Sequence, residues 1–178
     1  VLDEVEIGIE KVAELVGIMR DDERTECDAS ELVLGLKCGG SDGFSGLSAN
    51  PLVGRIADRQ SALGATSILT EVPEMFGAEQ QLMNRAADRE TFDRFVKMIN
   101  DFKHYFTSHG QPVYENPSPG NKEGGLTTLE EKSLGAVQKG GRSPIKEIVA
   151  YGEVATPALG GLSLLYACLL YTSDAADE

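Results

Sequence analysis

The sequence predicts an α/β fold with a parallel sheet, and three features of its first half indicate this class. A strand is predicted at 31–37, because its apolar run has the length and composition of a strand buried on both faces. A helix is predicted from Pro51 to about Leu63, with Gly64 ending it. A second short apolar run at 65–70 predicts the next strand. Strand, helix and strand of these lengths form a βαβ unit, whose right-handed crossover makes the two strands parallel.

The other helices are predicted from hydrophobic periodicity. A helix over 3–20 has apolar residues on one stripe and acidic residues elsewhere. A long helical region over 76–109, with a break near Ala87-Asp88, has an aromatic stripe that we expect to lie in the core. A later helix is predicted to begin at Thr127 or Thr128, since Thr127 and Glu130 have the spacing of a capping box.

Proline and glycine mark the remaining segments. The stretch 110–126 contains three prolines and four glycines, which exclude a helix and predict a rigid polar loop of a functional kind. The helix after it is predicted to end at Gly140-Gly141, and a short segment follows from Ser143-Pro144 to about Tyr151. The expected architecture is a Rossmann-like parallel sheet with flanking helices, incomplete at its C-terminus.

Composition excludes several classes of function. The chain has 178 residues, enough for one domain with a sizeable core, and a formal net charge of −13. Without a basic stripe to offset it, this charge argues against nucleic-acid binding. No apolar run is long enough to cross a bilayer. Three cysteines at irregular spacing form no disulfide framework, so a reducing, cytoplasmic setting is expected.

A glycine-rich loop at 37–48 lies between the first strand and its helix. Its glycines let backbone amides approach a ligand, and amides arranged in this way bind anions. Asn50 is expected to cap the following helix, whose positive dipole end and the Lys37 ammonium would add attraction. The glycine spacing matches neither the dinucleotide fingerprint nor a Walker A loop. The loop therefore predicts a cradle for an acidic small molecule, although a plain connection explains the glycines and serines about equally well.

The carboxyl ends of the two strands are expected to meet at one edge of the sheet, which brings the 37–48 loop close to 71–74. Candidate catalytic residues are Lys37, Cys38, Asp42, Glu71 and Lys122. Candidate substrate-binding residues are Gly39, Gly40, Ser41, Gly43, Ser45, Asn50, Asn116, Ser118 and Asn121. Glu74 and Glu115 are further candidates in the same segments, and Lys132 and Lys139, which flank the helix after 110–126, are candidates too.

Each candidate also has a plain structural interpretation. Cys38 fits a small buried residue at a strand end, Asp42 a turn stabiliser, and Lys122 a surface charge. Glu71 and Glu74 fit solvated carboxylates. The spacing of His, Cys and Asp matches no known metal cage, so the ligands of a metal stay undefined at this point.

Five blocks of the sequence resemble one known family. They are 37–46, 48–51, 70–74, 116–122 and 131–135, and over about residues 26 to 165 the chain is similar to the C-terminal domain of the altronate and galactarate dehydratases. The resemblance implies a hydro-lyase that converts a sugar acid such as altronate or galactarate into a 2-keto-3-deoxy acid. It also implies dependence on Fe²⁺ or Mn²⁺. Two alternatives stay open: a sulfolactate sulfo-lyase, which a related branch resembles, and a non-catalytic anion-binding module.

The chain departs from the family pattern at several points. Ala136 stands where the family often has Cys after the glycine, which weakens a role for a thiol there. Residues 166–178 resemble nothing in the family, so we expect an unrelated, artefactual tail that packs poorly. Residues 1–25 are expected to be a helix from a preceding segment. The family also has an N-terminal domain, and we expect that domain to be a partner of this one. The isolated fragment is therefore expected to be inactive. Whether the protein forms a homo-oligomer stays open.

Overall fold

The structure, a computed structural model, describes residues 2–166, with side chains from Val5 onward. Four strands form one sheet: β1 (Val33–Leu36), β2 (Thr66–Leu69), β3 (Ile145–Val149) and β4 (Gly161–Leu165). Their order is β1-β2-β4-β3, and all neighbouring pairs are parallel. The predicted α/β class with a parallel sheet and flanking helices is therefore confirmed.

Six α-helices accompany the sheet within the described residues. They are α1 (Leu2–Met19), α2 (Ala49–Ala62), α3 (Glu79–Met83), α4 (Arg89–Ser108), α5 (Pro119–Glu123) and α6 (Leu129–Ala136). Short 3₁₀ turns occur at Ala29–Glu31, Val72–Met75 and Val137–Gly140.

The predicted βαβ unit is present. Helix α2 connects β1 to β2, and the two strands pair with Val33 opposite Thr66. The predicted break in the long helical region is also present, because α3 ends at Met83 and α4 begins at Arg89. Asp88 caps α4 by accepting a hydrogen bond from the backbone N–H of Thr91 at 2.7 Å.

The core lies between the sheet and α4. All four residues of β2 are buried, so both faces of the sheet are covered there. Phe95, Ile99 and Phe102 on α4 are buried against it, which confirms that the aromatic stripe belongs to the core. The ring of Tyr166, which begins the segment expected to pack poorly, lies 5.1 Å from that of Phe102 between centroids. The rest of that segment, 167–178, lies outside the described residues.

Helix α1 differs from the others because its described side chains are all exposed. The predicted helix forms at these residues, yet its apolar stripe has no core to face, and Val12 and Met19 are 60% and 65% exposed. None of the helices described here combines the length and the apolar character that a membrane span requires.

The expectation that no helix forms in 110–126 is wrong. Helix α5 lies inside this stretch, and Ser118 is its N-cap, with Oγ accepting from the N–H of Asn121 at 3.4 Å. Pro119 occupies the first helical position, where the backbone N–H has no acceptor within the helix, so its absence in proline costs no hydrogen bond.

Two helix starts differ from prediction by one or two residues. The cap of α6 is Thr128, whose Oγ1 accepts from the N–H of Glu131 at 3.1 Å, and the Glu131 carboxylate accepts from the N–H of Thr127 at 2.7 Å. Glu131, rather than Glu130, therefore completes the box. Asn50 does not cap α2, because the helix begins at Ala49; its side chain instead donates to the carbonyl of Gly135 at 3.1 Å.

Candidate metal and acid-base site

The carboxyl ends of β1 and β2 bring a thiol and two carboxylates together. The backbone N–H of Cys38 donates to Oε2 of Glu71 at 3.0 Å. The Sγ of Cys38 lies 3.4 Å from Oε1 of Glu71 and 3.5 Å from Oε1 of Glu74. One ligand atom from each residue can be chosen so that all three lie within 4.8 Å of one another. The expected proximity of the 37–48 loop and 71–74 is therefore present.

Glu71 reaches this place through an unusual backbone conformation. Its φ is 66° and its ψ is 57°, in the left-handed region that residues other than glycine seldom occupy. Such a conformation costs of order 1–3 kcal/mol and persists only where the surroundings hold it. Here the Cys38 N–H and the Lys139 ammonium hold the Glu71 carboxylate.

Two buried lysines from the later helical segment neutralise the carboxylates. Lys139, only 2% exposed, places Nζ 3.2 Å from Oε2 of Glu71 and 3.5 Å from Oε2 of Glu74. Lys132, 8% exposed, places Nζ 2.9 Å from Oε1 of Glu74. Two negative and two positive charges thus balance inside the protein, which buried charges require if they are to stay ionised.

Lys132 also connects this cluster to the proline-rich stretch. Its ammonium donates to Oδ1 of Asn116 and to Oδ1 of Asn121, each at 2.9 Å. The Nδ2 of Asn121 in turn donates to the carbonyl oxygen of Ser41 at 2.9 Å. The glycine-rich loop and the proline-rich stretch therefore meet at one edge of the sheet, with Lys132 between them.

Burial and the two carboxylates raise the pKa of the Cys38 thiol. Burial contributes most, followed by the charges of Glu74 and Glu71, while the Lys139 ammonium acts in the opposite direction. The thiol is thus favoured over the thiolate, which agrees with its position as a donor to both carboxylates.

The donor set fits a divalent metal ion. Carboxylate oxygens are ligands that iron, manganese and zinc accept in proteins, and a cysteine sulfur is a ligand that iron and zinc accept. Oε2 of Glu74 is buried and accepts no hydrogen bond from any residue that the structure describes. The Lys139 ammonium lies 3.5 Å from this oxygen without forming a hydrogen bond to it, so a metal ion there would supply the direct contact that a buried oxygen requires. The three residues would leave further coordination positions for substrate or water.

A cavity of about 240 Å³ lies beside the cluster. Its lining includes Ser41, Asp42, Asn50 and Lys132. Lys132 is the residue that the cavity shares with the charge cluster. A ligand in this cavity would therefore lie next to Lys132, whereas Glu71 and Glu74 do not line the cavity.

In the glycine-rich loop, the carboxylate of Asp42 accepts hydrogen bonds from backbone amides of the same loop. Oδ1 of Asp42 accepts from the N–H groups of Phe44 and Ser45 and from the Ser45 hydroxyl, each at 2.9 Å. The Ser45 hydroxyl and these backbone bonds lower the pKa of Asp42. The turn-stabilising interpretation thus matches the contacts of Asp42, while its catalytic role stays a prediction. The amides of Phe44 and Ser45 are not available to an anion in this arrangement.

The other predicted residues divide into two groups. Ser118 contributes to the loop contact, since its hydroxyl donates to Oδ1 of Asn121 at 2.8 Å, and the N–H of Gly43 donates to the carbonyl of Gly124 at 2.8 Å. Lys37 and Lys122 are exposed and form no ion pair with any described residue. Gly39 and Gly40 border open space. The structure does not bring these last four into the cluster.

The sequence pointed only weakly to the two lysines. Lys132 lies in α6 next to small residues, Ser133 and Ala136, that are buried with it. A lysine within a helix face made otherwise of small residues is a signal for a buried cation. Lys139 precedes Gly140-Gly141, and nothing local to it indicates that its side chain would be almost completely buried.

The sequence matches a family model described as D-galactarate/altronate dehydratase, C-terminal, over residues 29–174. The chain is 57% identical over 162 residues to an altronate dehydratase of Escherichia coli (strain K12), covering 90% of this chain and 33% of that protein. It is 56% identical over 167 residues to an altronate dehydratase of Bacillus subtilis (strain 168), with 94% and 33% covered.

A third relative is more distant. The chain is 42% identical over 134 residues to a galactarate dehydratase (L-threo-forming) of Escherichia coli (strain K12), with 75% of this chain and 26% of that protein covered. The chain thus spans about a third of the length of the curated altronate dehydratases it matches. The blocks 37–46, 70–74 and 116–122, which carry the resemblance, surround the buried cluster. This chain belongs to the galactarate and altronate dehydratase family, within that family's C-terminal domain.

Proposed function

We propose that the full-length polypeptide carrying this chain is a hydro-lyase that dehydrates a sugar acid, altronate or galactarate, to a 2-keto-3-deoxy acid. The observation that supports it most is the cluster of one thiol, two buried carboxylates and two buried ammonium groups beside a cavity. Such a cluster suits proton transfer and the stabilisation of negative charge next to a carboxylate. The sugar acids come from the names of the relatives.

We propose that Cys38, Glu71 and Glu74 hold Fe²⁺ or Mn²⁺. When bound, such an ion supplies a Lewis acid that polarises the substrate carboxylate or assists departure of its hydroxyl group. With Cys38 as a thiolate, two carboxylates and a thiolate face two ammonium groups and a divalent ion, which leaves one net positive charge. One positive charge complements one substrate carboxylate in a chain whose overall charge is −13.

The lysines have a different role in this proposal. Lys132 borders the cavity, and its three N–H groups already face Glu74, Asn116 and Asn121. Its positive charge therefore acts on a substrate carboxylate through the field in the cavity, and it stabilises the negative charge that develops when the neighbouring carbon loses its proton. Lys139 does not border the cavity; its Nζ fixes Glu71 and Glu74 relative to each other. Asn116 and Asn121 orient Lys132 by accepting two of its hydrogens.

The remaining two thirds of the full-length polypeptide are expected to complete the site. The relatives are about three times as long as the aligned region, and the described cavity is only partly enclosed by this chain. We therefore propose that groups outside residues 1–178 contact the substrate. We also propose the cytoplasm as the compartment, because the three cysteines at irregular spacing form no disulfide framework.

The assay uses the full-length polypeptide with altronate and galactarate in the presence of Fe²⁺ or Mn²⁺, and it measures formation of the keto acid. Lys132→Met is expected to lower kcat/KM by about a hundredfold or more, as the loss of a charge-stabilising group does. The control is Lys97→Met, which removes an exposed lysine on α4 and is expected to leave the rate unchanged.

Metal binding is measured separately by Mn²⁺ electron paramagnetic resonance. Glu74→Gln and Cys38→Ser are each expected to weaken Mn²⁺ binding by about tenfold or more, since each removes a ligand. Unchanged Mn²⁺ affinity in both variants would refute the ligand assignment. Absence of any keto acid from both substrates would refute the dehydratase proposal, and release of sulfite from sulfolactate would replace it with the sulfo-lyase.

A further inference from the structure

A second cavity, of about 460 Å³, lies between α2, α3 and the turn that follows α6. Its lining includes three arginines, Arg55, Arg85 and Arg142, and a single carboxylate, that of Asp58. In a chain with a net charge of −13, a cavity with three positive groups and one negative group has a local charge opposite to the whole. Its volume falls within the range of small-molecule sites, roughly 300–1,000 Å³.

Arg85 is held rigidly and without an ion pair. Its Nε donates to the carbonyl of Ser143 at 3.1 Å, and its Nη2 donates to the carbonyls of Gly140 and Ser143 at 2.7 Å each. These acceptors are neutral. Burial lowers the pKa of the guanidinium, and the charge of Asp58 only partly opposes this effect. Arg85 is therefore a partly desolvated cation whose charge is not compensated by direct contact.

Asp58 does not supply the missing ion pair. Its Oδ1 accepts from the N–H of Arg142 at 2.6 Å, from the N–H of Ser143 at 2.9 Å and from the Ser143 hydroxyl at 3.0 Å. In the part of the chain that the structure describes, the guanidinium groups of Arg55, Arg85 and Arg142 take part in no ion pair at all. The cavity thus retains an excess of about two positive charges, which a dianion would neutralise.

The turn Val137–Gly140 separates this cavity from the thiol and carboxylate cluster. The side chain of Lys139 extends to Glu71 and Glu74, whereas Val137 and Gln138, the two residues before it, line the arginine cavity. The turn is packed tightly on α2, because a Cβ at Gly54 would lie 2.1 Å from the carbonyl oxygen of Gln138. The two sites are therefore distinct but share one rigid segment.

We propose that the cavity lined by Arg55, Arg85 and Arg142 binds a small dianion, either a phosphate monoester or a dicarboxylate. Arg85 provides the fixed, partly buried charge. Arg55 and Arg142, which are exposed, close on the anion from α2 and from the turn. The planar guanidinium group suits both phosphate and carboxylate, because each presents two oxygens to two N–H groups.

The test measures binding by isothermal titration calorimetry on the full-length polypeptide at constant ionic strength, with inorganic phosphate and with succinate as probes. The double variant Arg55→Ala/Arg142→Ala is expected to weaken binding of the preferred probe by about tenfold or more, since it removes two charge-assisted contacts. Both residues are exposed, so the variant leaves the contacts of Arg85 in place. Arg59→Ala, which removes an exposed charge of α2 outside the cavity, is the matched control and is expected to leave the affinity unchanged.

Saturable binding of either probe that depends on the cavity arginines supports the proposal. A preference for phosphate then assigns a phosphate monoester, and a preference for succinate a dicarboxylate. Absence of saturable binding by both probes overturns it, as does an equal loss of affinity in Arg59→Ala, which would indicate only general attraction to positive charge. The measurement needs no substrate turnover, so it is independent of the dehydratase assay.

Discussion

The substitution Lys139→Met would test whether burial, rather than the distance between the charged atoms, determines how much an ion pair contributes to the free energy of unfolding of this protein. Lys139 lies 3.2 Å from Glu71 and is 2% exposed. Lys103 forms a shorter pair, 2.7 Å from Glu79, but its side chain is 38% exposed. Ranked by distance, the Lys103 pair should be the stronger of the two. Ranked by burial, loss of Lys139 should be far more harmful.

We expect Lys139→Met to lower the free energy of unfolding by about 3–5 kcal/mol, because it leaves the buried carboxylates of Glu71 and Glu74 without one of their two compensating charges. For a chain of this size that change corresponds to a fall in the melting temperature of roughly 6–20 °C. Lys103→Met removes a partly exposed pair and is expected to cost about 1 kcal/mol or less. Methionine keeps the length and apolar stem of lysine in both variants, so each substitution removes the ammonium and its contacts, which for Lys103 include the Phe76 ring 5.1 Å away.

Urea unfolding followed by far-ultraviolet circular dichroism, with a chelator present, measures both variants. The double variant Lys139→Met/Glu71→Gln should be more stable than Lys139→Met alone, since it removes the carboxylate that the lysine neutralised. A cost for Lys103→Met equal to or above that of Lys139→Met would refute the argument from burial. A double variant no more stable than the single one would show that packing of the lysine stem, rather than its charge, is responsible.

Two further predictions concern helix ends and helix packing. The bonds from Thr91 lower the pKa of Asp88 below its usual 3.8, so its carboxylate stabilises the fold at pH values above 3.8 and loses this effect as the pH falls through the lower folded value. The urea midpoints of the parent and Asp88→Ala should therefore differ near neutral pH and converge in strong acid; a constant difference would contradict this. Gly54→Ala should destabilise the protein by about 1–3 kcal/mol, because the new Cβ would lie 2.1 Å from the Gln138 carbonyl oxygen. Gly8→Ala is its matched control on α1: nothing lies within 4 Å of that Cβ, so helix propensity alone should stabilise by up to about 1 kcal/mol.

The parts of the fold that local patterns control could be predicted from the sequence. The βαβ unit follows from two apolar runs flanking one amphipathic helix, and its parallel pairing fixes where the strand ends lie. The contact of Cys38 with Glu71 is a consequence of that geometry, since each residue is the second after the end of its strand. The rule that ligand-binding loops follow the carboxyl ends of parallel strands was sufficient here.

The error in the proline-rich stretch was also local. Three prolines and four glycines predict a loop without a helix, yet Ser118 followed by Pro119 is the ordinary sequence of a helix start. The sequence therefore contains a helix-start signal, Ser118-Pro119, but the number of prolines and glycines around it favours a loop. The position of each proline relative to a capping residue, rather than the number of prolines, predicts α5.

The positions of the lysines could not be predicted, because they depend on packing between distant segments. Lys139 is directed into the cluster by the turn Val137–Gly140, which lies against α2 only because Gly54 has no side chain and Gly141 adopts a φ of 59°. A Cβ at Gly141 would approach the Asp58 carboxylate to 2.4 Å. No pattern within 129–141 contains information on that contact.

Stability alone does not explain the buried cluster. Replacing a buried set of paired charges with apolar side chains of similar volume is often neutral or stabilising, so these four charges are not required to hold the sheet together. The left-handed backbone of Glu71 adds a local cost that a glycine at this position would avoid. Even so, Oε2 of Glu74 remains without a hydrogen-bond donor among the described residues, while Lys132 faces the adjoining cavity. An arrangement that is costly and incompletely satisfied is typical of a site that awaits a ligand. The hydrogen bond that Oε2 of Glu74 lacks and the cavity beside Lys132 mark the positions of the metal ion and of the acidic substrate in the proposed function.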